Sequence, residues 1–293
     1  MNVKFQLAKA VFSALALVPL SISRGIGHFI GGLLAKTQDR NVRIIRANLK
    51  LCFPEMSDAE REQLLFKRMQ ILGSTALEML KIWGASTTAV HGLVDEVEGR
   101  HFIEEAHKEG KGTIILAPHL GNWEVIGPYL TQCASVVKIM YSRPKSDTMH
   151  QLIVDARQRT GVMLVPADRS GVVQLLKTLR AGDMIGILPD QVPADESGVF
   201  APFFGQQALS MTLMSNLARK TGAAIISAYA LPTSAGFKIV LSKPDPAIYS
   251  DDLNQSVAAM NRTIEQCVTQ HPANYQWEYK RFKRRPEGQA ELY

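Results

Sequence analysis

Apolar and polar residues alternate with two different periods along this chain. Apolar positions within residues 39–51 recur on one helical face, and the capping box Ser57–Glu60 opens a longer helix that we expect to end at Gly84. From about residue 95, short apolar runs alternate with helical segments, which is typical of an α/β domain whose mixed, largely parallel sheet is flanked by helices. The predicted strands are 113–117, 136–141, 162–165, 184–188, 223–231 and 237–242, and the predicted helices are 101–109, 122–132, 146–160, 171–180 and 208–221.

The N-terminal segment is a candidate membrane-associating region. Fourteen uncharged residues lie between Lys9 and Arg24, and a second apolar run follows at residues 25–35. Because a helix needs roughly 20 apolar residues to cross a bilayer, we expect residues 1–35 to be a membrane anchor, either a single span or helices in the membrane plane. The alternative is a buried, Pro-kinked helix of a soluble core. A cleaved signal peptide is disfavoured because basic residues follow where small residues would mark a cleavage site.

Composition narrows the possible partners. The chain has 293 residues with 33 Lys and Arg against 27 Asp and Glu, a net charge of +6, and its 46% apolar content is enough for a large core. This excess of positive charge suggests an anionic partner, of which nucleic acid is only one candidate. The three cysteines, Cys52, Cys133 and Cys267, are far apart, so neither a disulfide framework nor a cysteine metal site is indicated.

The C-terminal segment 275–286 mixes four aromatic residues with five cationic residues. Such a mixture suits a lipid headgroup region or an anionic ligand. Stacking on RNA is a further possibility, but no nucleic-acid recognition motif accompanies the segment. The alternative is a solvated tail, because runs of charge are most often simply surface.

The segment Ala117–Glu124, which reads A-P-H-L-G-N-W-E, is the main candidate for catalysis. It follows an apolar strand, and a strand followed by a sharp turn is where α/β enzymes present catalytic side chains. In a continuous helix His119 and Glu124 would lie about 140° apart. We therefore expect a turn through Gly121 with Asn122 as the N-cap of a helix, which allows the Glu124 carboxylate to bend back to the imidazole.

A histidine held by a carboxylate is the minimal general-base pair. The chain lacks a G-x-S-x-G motif and has no cysteine in a nucleophile's setting, so the sequence favours direct attack by a substrate hydroxyl rather than a covalent acyl-enzyme. It also lacks the close-spaced ligand pair typical of a zinc site, and we expect neither a metal nor a cofactor. A buried structural histidine is the alternative interpretation of His119.

Several motifs together resemble one enzyme family. The H-L-G-N-W-E segment resembles the H-x-x-x-x-D/E signature of glycerolipid-type acyltransferases, and its surroundings look like the late acyltransferases of lipid A assembly in Gram-negative bacteria. The resemblance extends from about residue 38 to the end, which makes residues 36–293 the acyltransferase domain. The supporting segments are Arg46–Leu49 with Cys52–Glu55, Tyr141–Pro144, Leu188–Gln191, Gly198–Gly205 and Arg281–Gly288. Val192 and Pro193 depart from the pattern, because a second acid is frequent in relatives after P-D-Q.

This resemblance implies transfer of a fatty acyl chain from acyl carrier protein to a hydroxyl of a lipid A precursor. His119 then deprotonates the hydroxyl and Glu124 holds His119, while an arginine stabilises the oxyanion. Arg159 is our first choice for that arginine, ahead of two others in the same stretch. The further residues that we expect to bind substrate are Asn122, Trp123, Arg143, Arg157, Arg169, Asp190 and Gln191.

The implied location is the cytoplasmic face of the bacterial inner membrane, where a basic protein meets anionic lipids as well as the acidic carrier protein. An acyltransferase acting on another lysophospholipid, glycolipid or aminolipid is the first alternative. The second is a non-catalytic lipid-binding membrane protein, since fold alone does not fix function.

Overall fold

A computed structural model describes residues 3–293, with side chains from Phe5 onwards. The first two residues of the expected N-terminal anchor lie outside the described residues. The α-helices are α1 (Val3–Leu17), α2 (Leu20–Leu34), α3 (Arg40–Cys52), α4 (Asp58–Gly84), α5 (Thr87–His91), α6 (His101–Glu109), α7 (Ile126–Leu130), α8 (Asp147–Arg159), α9 (Arg169–Arg180), α10 (Leu213–Thr221) and α11 (Leu253–Gln270). The strands are β1 (Val94–Glu98), β2 (Thr113–Leu116), β3 (Val137–Tyr141), β4 (Met163–Pro166), β5 (Met184–Ile187), β6 (Gly198–Phe203), β7 (Gln206–Met211), β8 (Ala224–Pro232) and β9 (Phe237–Ser242).

Seven strands form the central sheet in the order β1-β9-β8-β2-β5-β3-β4. The five strands from β8 to β4 are parallel, whereas β9 runs antiparallel to β8 and pairs in parallel with β1. The apolar side chains of β2 alternate between two core clusters: Ile114 and Leu116 pack in one and Ile115 in the other. Both faces of the sheet are therefore covered, and the predicted α/β class with a mixed, mostly parallel sheet is confirmed.

Two parts of the strand prediction were incomplete or wrong. The edge strand β1, Val-Asp-Glu-Val-Glu, was missed because it is short and mostly exposed. The second is the hairpin: residues 198–203 were assigned to no element and residues 208–211 were predicted to start a helix, but they belong to β6 and β7, which form a two-stranded antiparallel hairpin. Phe204 and Gly205 connect the two strands with positive φ angles of 47° and 72°, a conformation that ends regular structure.

The helical start of the fold follows the sequence prediction closely. The Ser57 side chain accepts from the backbone N–H of Glu60, and the Glu60 carboxylate accepts from the backbone N–H of Ser57, so the predicted capping box is confirmed. Helix α4 ends at Gly84, as expected. At 27 residues it is the long support against which the N-terminal helices pack.

The N-terminal helices form a bent pair. No single helix of the described residues is long and apolar enough to cross a membrane, but Phe5–Leu17 and Leu20–Leu34 together have that length and composition and are bent by 109°. Helix α2 crosses α4 at close range: a Cβ at Gly31 would lie 2.0 Å from the backbone oxygen of Met69. Only glycine permits such an approach.

One face of α2 is apolar and exposed. The exposed apolar residues of α2 are spaced so that they lie on one side of the helix, and Phe29 is the most exposed of them at 68%. On α1, Leu7, Val11 and Leu17 are also exposed. The exposed apolar residues of α2 are Ile22, Ile26, Phe29, Ile30, Leu33 and Leu34.

Candidate active site

His119 lies in a sharp turn at the carboxyl end of β2. Gly121 adopts a positive φ of 66°, and a Cβ there would lie 1.8 Å from the backbone oxygen of Ala230 in the neighbouring strand β8. The backbone of the turn is held on both sides, because Asn122 N–H donates to the Ala230 carbonyl at 2.9 Å and Gly121 N–H donates to the Asn274 carbonyl at 3.0 Å. The expected turn is confirmed, and only glycine fits its tightest position.

Asn122 begins a short 3-10 helix at Trp123–Val125, which α7 continues. Its side-chain oxygen accepts from the backbone N–H of Glu124 at 3.3 Å, so the predicted N-cap is confirmed. Its side-chain amide donates to Glu78 Oε2 on α4 at 3.0 Å. The Trp123 ring packs edge-on to the His119 ring, with 4.6 Å between the ring centroids.

The carboxylate bonded to His119 is that of Asp190. Asp190 follows β5, the strand beside β2, so the parallel arrangement brings both residues to the same edge of the sheet. His119 Nδ1 lies 2.7 Å from Asp190 Oδ1, and the backbone N–H of His119 donates to Asp190 Oδ2 at 2.8 Å. Only 2% of the Asp190 side chain and 11% of the His119 side chain are exposed. This pairing fixes both the position and the orientation of the imidazole.

The Asp190 pairing also decides which ring nitrogen of His119 is free to accept a proton. Burial disfavours the charged form of Asp190, but the charge of His119 and the hydrogen bonds from it outweigh burial and lower the pKa of the carboxyl. An ionised carboxylate only accepts, so Nδ1 carries the proton. Gln191 Nε2, at 3.2 Å from His119 Nε2, can then donate to the lone pair on that nitrogen. The His119 ring is thus arranged as a base whose accepting atom is Nε2.

Glu124 does not hold the imidazole, and that expectation was wrong. Its carboxylate instead accepts from Trp83 Nε1 at 3.0 Å and from Arg157, whose Nη2 and Nε lie 2.6 Å and 3.2 Å from its two oxygens. The reason is that the 3-10 turn directs Glu124 into the protein, toward α4 and α8, where its side chain is only 4% exposed. Glu124 therefore orients the guanidinium of Arg157 rather than the imidazole.

Electrostatics keep Glu124 ionised despite its burial. Burial alone would raise the pKa of Glu124, but the charge and hydrogen bonds of Arg157, with the hydrogen bond from Trp83, lower it overall. Burial disfavours the charged guanidinium of Arg157, and the Glu124 carboxylate reverses this and raises the pKa of Arg157. The result is a fixed and largely buried ion pair.

The other candidate arginines lie apart from this pair. Arg159 donates to the carbonyl oxygens of Ala85 and Trp83 and pairs with Asp155, so it stabilises the carboxyl end of α4 and our first choice for the oxyanion is not supported by its position. Arg143 is exposed and pairs with Asp147 at 2.7 Å. Arg169 begins α9 at the carboxyl edge of β4 and is exposed.

The aromatic and basic C-terminal segment is not a solvated tail. Arg281 is 3% exposed, its guanidinium donates to the Leu209 carbonyl at 2.7 Å and to Ser210 Oγ at 2.6 Å, and it lies over the Phe203 ring. Trp277 is 2% exposed. Gln276 N–H donates to the His119 carbonyl at 3.0 Å, so the segment forms one wall of the site.

Burial also alters the titration of this wall. It raises the pKa of the Tyr275 hydroxyl well above its usual value, and the negative charge of Asp190 acts in the same direction. Burial lowers the pKa of Arg281, against the influence of the nearby tyrosines and Asp190. Tyr275 therefore stays a neutral phenol beside the His119–Asp190 pair.

Three residues of this arrangement were missed in the sequence: Glu78, Trp83 and Gln276. Glu78 and Trp83 lie on α4, five residues apart, and their contacts are with a turn more than 40 residues away. A carboxylate in an otherwise apolar helical stretch was the only available signal for Glu78. No signal in the sequence indicated that Asp190 would pair with His119, because the order of strands in a sheet cannot be predicted from short segments of sequence.

The described cysteines and acidic groups do not form a nucleophile or metal site. Cys52 and Cys267 are buried, and burial raises the pKa of both thiols. Among residues 3–293, no group of three or more His, Cys, Asp or Glu side chains is arranged to hold a metal ion.

Comparison with known proteins gives a consistent result. Residues 3–284 match the family model described as bacterial lipid A biosynthesis acyltransferase. The chain is 26% identical over 279 residues to a lipid A biosynthesis lauroyltransferase of Escherichia coli K12, covering 94% of this chain and 90% of the relative. It is 27% identical to a palmitoleoyltransferase of that strain with the same coverage, and 25% identical over 298 residues to a myristoyltransferase, covering 98% of this chain and 89% of that relative.

Proposed function

Because the chain belongs to the bacterial lipid A biosynthesis acyltransferase family, we propose that it transfers a fatty acyl chain from acyl carrier protein to a hydroxyl of a lipid A precursor, with His119 as general base. The chain is an acyltransferase of lipid A biosynthesis. The donor, the acceptor hydroxyl and the chemical steps are the proposal. The observation that carries it is the His119–Asp190 hydrogen bond, which leaves Nε2 as the accepting atom of a partly exposed imidazole.

The proposed reaction proceeds without a covalent acyl-enzyme. His119 Nε2 takes the proton of the acceptor hydroxyl as its oxygen attacks the thioester carbonyl and forms a C–O bond. The tetrahedral intermediate then collapses, the C–S bond breaks, and the protonated His119 returns the proton to the leaving thiolate. An acceptor that uses Nε2 must take the place of the Gln191 amide, which now lies 3.2 Å from that atom. The raised pKa of the buried thiols Cys52 and Cys267 supports a direct transfer.

Arg157 is the arginine that we now assign to the developing oxyanion. Its guanidinium is bonded to Glu124 through Nε and Nη2, which leaves Nη1 without a hydrogen bond among the described residues. A guanidinium that is already held in place loses little entropy when it binds an anion, and its charge is permanent. Glu124 and Trp83 are the positioning residues for this group. Asp190 is the positioning residue for His119.

The exposed apolar surface of the N-terminal helices supports the choice of a membrane lipid as substrate. The apolar face of α2 and the exposed side chains of α1 form a surface that suits the acyl region of a bilayer, while the net charge of +6 suits anionic headgroups and an acidic carrier protein. The bent helix pair α1–α2 favours helices that lie in the membrane plane over a straight single span. We propose the cytoplasmic face of the inner membrane as the location, because carrier-bound acyl donors are made there.

Purified full-length protein in detergent, given acyl carrier protein loaded with a fatty acid and a lipid A precursor, tests the proposal. We expect mass spectrometry to show the acceptor gaining one acyl chain, and His119→Ala to reduce this rate by at least about 10³-fold. The exposed His107 on α6 offers a matched control, His107→Ala, which should retain wild-type activity.

The alternatives give different results in the same assay. Transfer to lysophospholipid, glycolipid or aminolipid acceptors but not to the lipid A precursor would assign a different acceptor. An unchanged lipid A acylation pattern in cells lacking the gene would point the same way. No turnover, together with lipid binding that survives His119→Ala, would make the protein a lipid binder.

A further inference from the structure

A basic pocket lies beside the catalytic loops and has no part in the proton transfer described above. Its volume is about 230 Å³, large enough for a group of several heavy atoms. The start of α3 forms one side, and the C-terminal segment forms the other. The lining residues are Arg40, Asn41, Gln276, Glu278, Tyr279, Lys280 and Lys283.

The pocket carries an excess of positive charge. Arg40, Lys280 and Lys283 take part in none of the ion pairs among residues 3–293. The two lysine ammonium groups lie over aromatic rings instead: Lys280 Nζ is 5.2 Å from the Tyr293 ring centroid, and Lys283 Nζ is 5.4 Å from that of Tyr279.

The one acid in the pocket wall does not offset this charge. Both oxygens of Glu278 accept from the buried Arg68, at 2.7 Å and 2.9 Å. The Glu278 charge is thus neutralised by a cation from outside the pocket. Helix α3 adds the positive end of its dipole, part of which is used by its N-cap Asp39, whose carboxylate accepts from Asn41 N–H at 2.8 Å.

The pocket is in direct contact with both catalytic loops. Its wall residue Gln276 donates its backbone N–H to the His119 carbonyl at 3.0 Å, and its side-chain oxygen accepts from Gln191 Nε2 at 3.2 Å. The Tyr279 hydroxyl accepts from the backbone N–H of Val192 at 3.0 Å. The side chains of Gln276 and Gln191 thus connect the pocket wall to His119, whose Nε2 lies 3.2 Å from Gln191 Nε2.

We propose that Arg40, Lys280 and Lys283 form a phosphate subsite for one of the two substrates that react at His119. Three cations without carboxylate partners suit a group with two or three charged oxygens, because each can make a charge-assisted hydrogen bond to it. The subsite deepens the proposed function and rests on it. Two sources offer this chemistry: the phosphodiester of the phosphopantetheine arm of the donor, and a phosphate on the lipid A precursor.

The double variant Lys280→Ala/Lys283→Ala removes two of the three cations. We expect the KM of one substrate to rise by about tenfold or more, which corresponds to the loss of one charge-assisted hydrogen bond, while kcat changes less than threefold. Lys177→Ala/Arg180→Ala is the matched control, since it removes two exposed cations from the far end of α9. The charge-conserving Lys280→Arg/Lys283→Arg should keep the KM within threefold of the wild type, which separates binding from folding.

Paired substrates that differ only in the phosphate identify the source. If the phosphate is that of the donor, acyl-phosphopantetheine has a lower KM than acyl-pantetheine with the wild type, and the alanine variant abolishes this difference. If it is that of the acceptor, the same loss of discrimination appears between phosphorylated and dephosphorylated lipid A precursors. In either case the preference of the wild type weakens as salt is added.

The subsite would be overturned if Lys280→Ala/Lys283→Ala had the same KM for both substrates as Lys177→Ala/Arg180→Ala. If the wild type turns over normally in that experiment, the proposed function is unaffected. Unchanged KM values with weaker binding to vesicles of phosphatidylglycerol would also overturn it, since the cations then serve the membrane surface. Absence of turnover in the wild type would instead count against the proposed function.

Discussion

Asn122 and Glu78 are joined by a hydrogen bond of 3.0 Å between Asn122 Nδ2 and Glu78 Oε2, although 44 residues separate them in the sequence. The other oxygen of Glu78 accepts from Arg24 Nε on α2 at 2.5 Å. Arg24 also donates to the carbonyl oxygens of Thr233 and Gly236, at 2.5 Å and 2.7 Å. The turn that carries His119 is therefore connected through one buried carboxylate to the helix that carries the exposed apolar face.

This connection predicts that Glu78→Gln impairs both stability and catalysis. The amide keeps an acceptor for Asn122 but leaves Arg24, which is 16% exposed, without a counter-charge. Loss of one partner of a buried pair costs about 3 kcal/mol, so we expect denaturant unfolding at a correspondingly lower concentration and a lower kcat. The exposed pair Arg46–Glu62 is the control: Glu62→Gln should cost less than about 1 kcal/mol and leave kcat unchanged.

The pairing of His119 with Asp190 predicts a severe loss of activity in Asp190→Asn. An asparagine amide facing Nδ1 donates to it and shifts the ring proton to Nε2, the atom that must accept the substrate proton. By analogy with the same change in serine proteases, we expect kcat to fall by about 10³- to 10⁴-fold with little change in KM. The measurement is steady-state transfer of a radiolabelled acyl chain. A kcat within threefold of the wild type would show that Asp190 does not set the tautomer.

The two neighbouring arginines of α8 predict a clear contrast. Arg157→Lys keeps the charge but loses the two-point hydrogen bond to Glu124, so the cation is no longer fixed; we expect kcat to fall by about 10²-fold at unchanged acceptor KM. Arg159→Lys should change kcat by less than threefold and lower the thermal unfolding midpoint, because Arg159 bonds the end of α4. The reverse result would restore Arg159 as the oxyanion residue.

The lowered pKa of Glu124 predicts acid sensitivity. The pKa of Glu124 is lower in the folded protein than the value of about 4.5 expected in the unfolded chain. The ionised carboxylate therefore stabilises the fold at pH values above about 4.5, and this stabilisation is lost as the pH falls through the lower pKa of the folded protein. The free energy of unfolding should therefore decrease as the pH drops below about 4.5, and the decrease should be smaller in Glu124→Gln. Urea titrations at several pH values between about 3 and 7 test this. If the free energy of unfolding falls equally steeply with pH in the wild type and in Glu124→Gln, the Glu124 carboxyl is not the cause of the acid sensitivity.

The exposed apolar face of α2 predicts that the protein binds membranes through this helix. Ile26→Asp/Phe29→Asp places two charges on that face, and we expect vesicle binding in sedimentation assays to fall by at least about tenfold. Val173→Asp, at a 51% exposed position on α9, should bind as the wild type does. If Ile26→Asp/Phe29→Asp binds vesicles as well as Val173→Asp does, α2 does not contact the bilayer.

The expected division of the chain at residue 35 stays a prediction. The Arg24–Glu78 bond leads us to expect that removing residues 1–35 disturbs the turn that carries His119.

The local sequence determined the elements and the turn. Periodicity located the central strands, Ser57–Glu60 capped α4, and Gly121 with Asn122 fixed the turn that presents His119. These features depend on backbone conformation and hydrogen bonds between residues close in the chain, so their signals are short-range. Neither strand of the hairpin β6–β7 was predicted; the second strand was assigned to a helix because it runs almost directly into α10.

Only the tertiary structure decided which carboxylate serves which partner. Glu124 is five residues from His119, yet the strand order β2-β5 brings Asp190 to the imidazole from 71 residues away and the turn directs Glu124 to Arg157. Strand order depends on how the whole core packs, which no short segment encodes. The sequence thus determined that a histidine and carboxylates meet at this edge of the sheet, and long-range packing determined that Asp190 orients the imidazole while Glu124 holds Arg157.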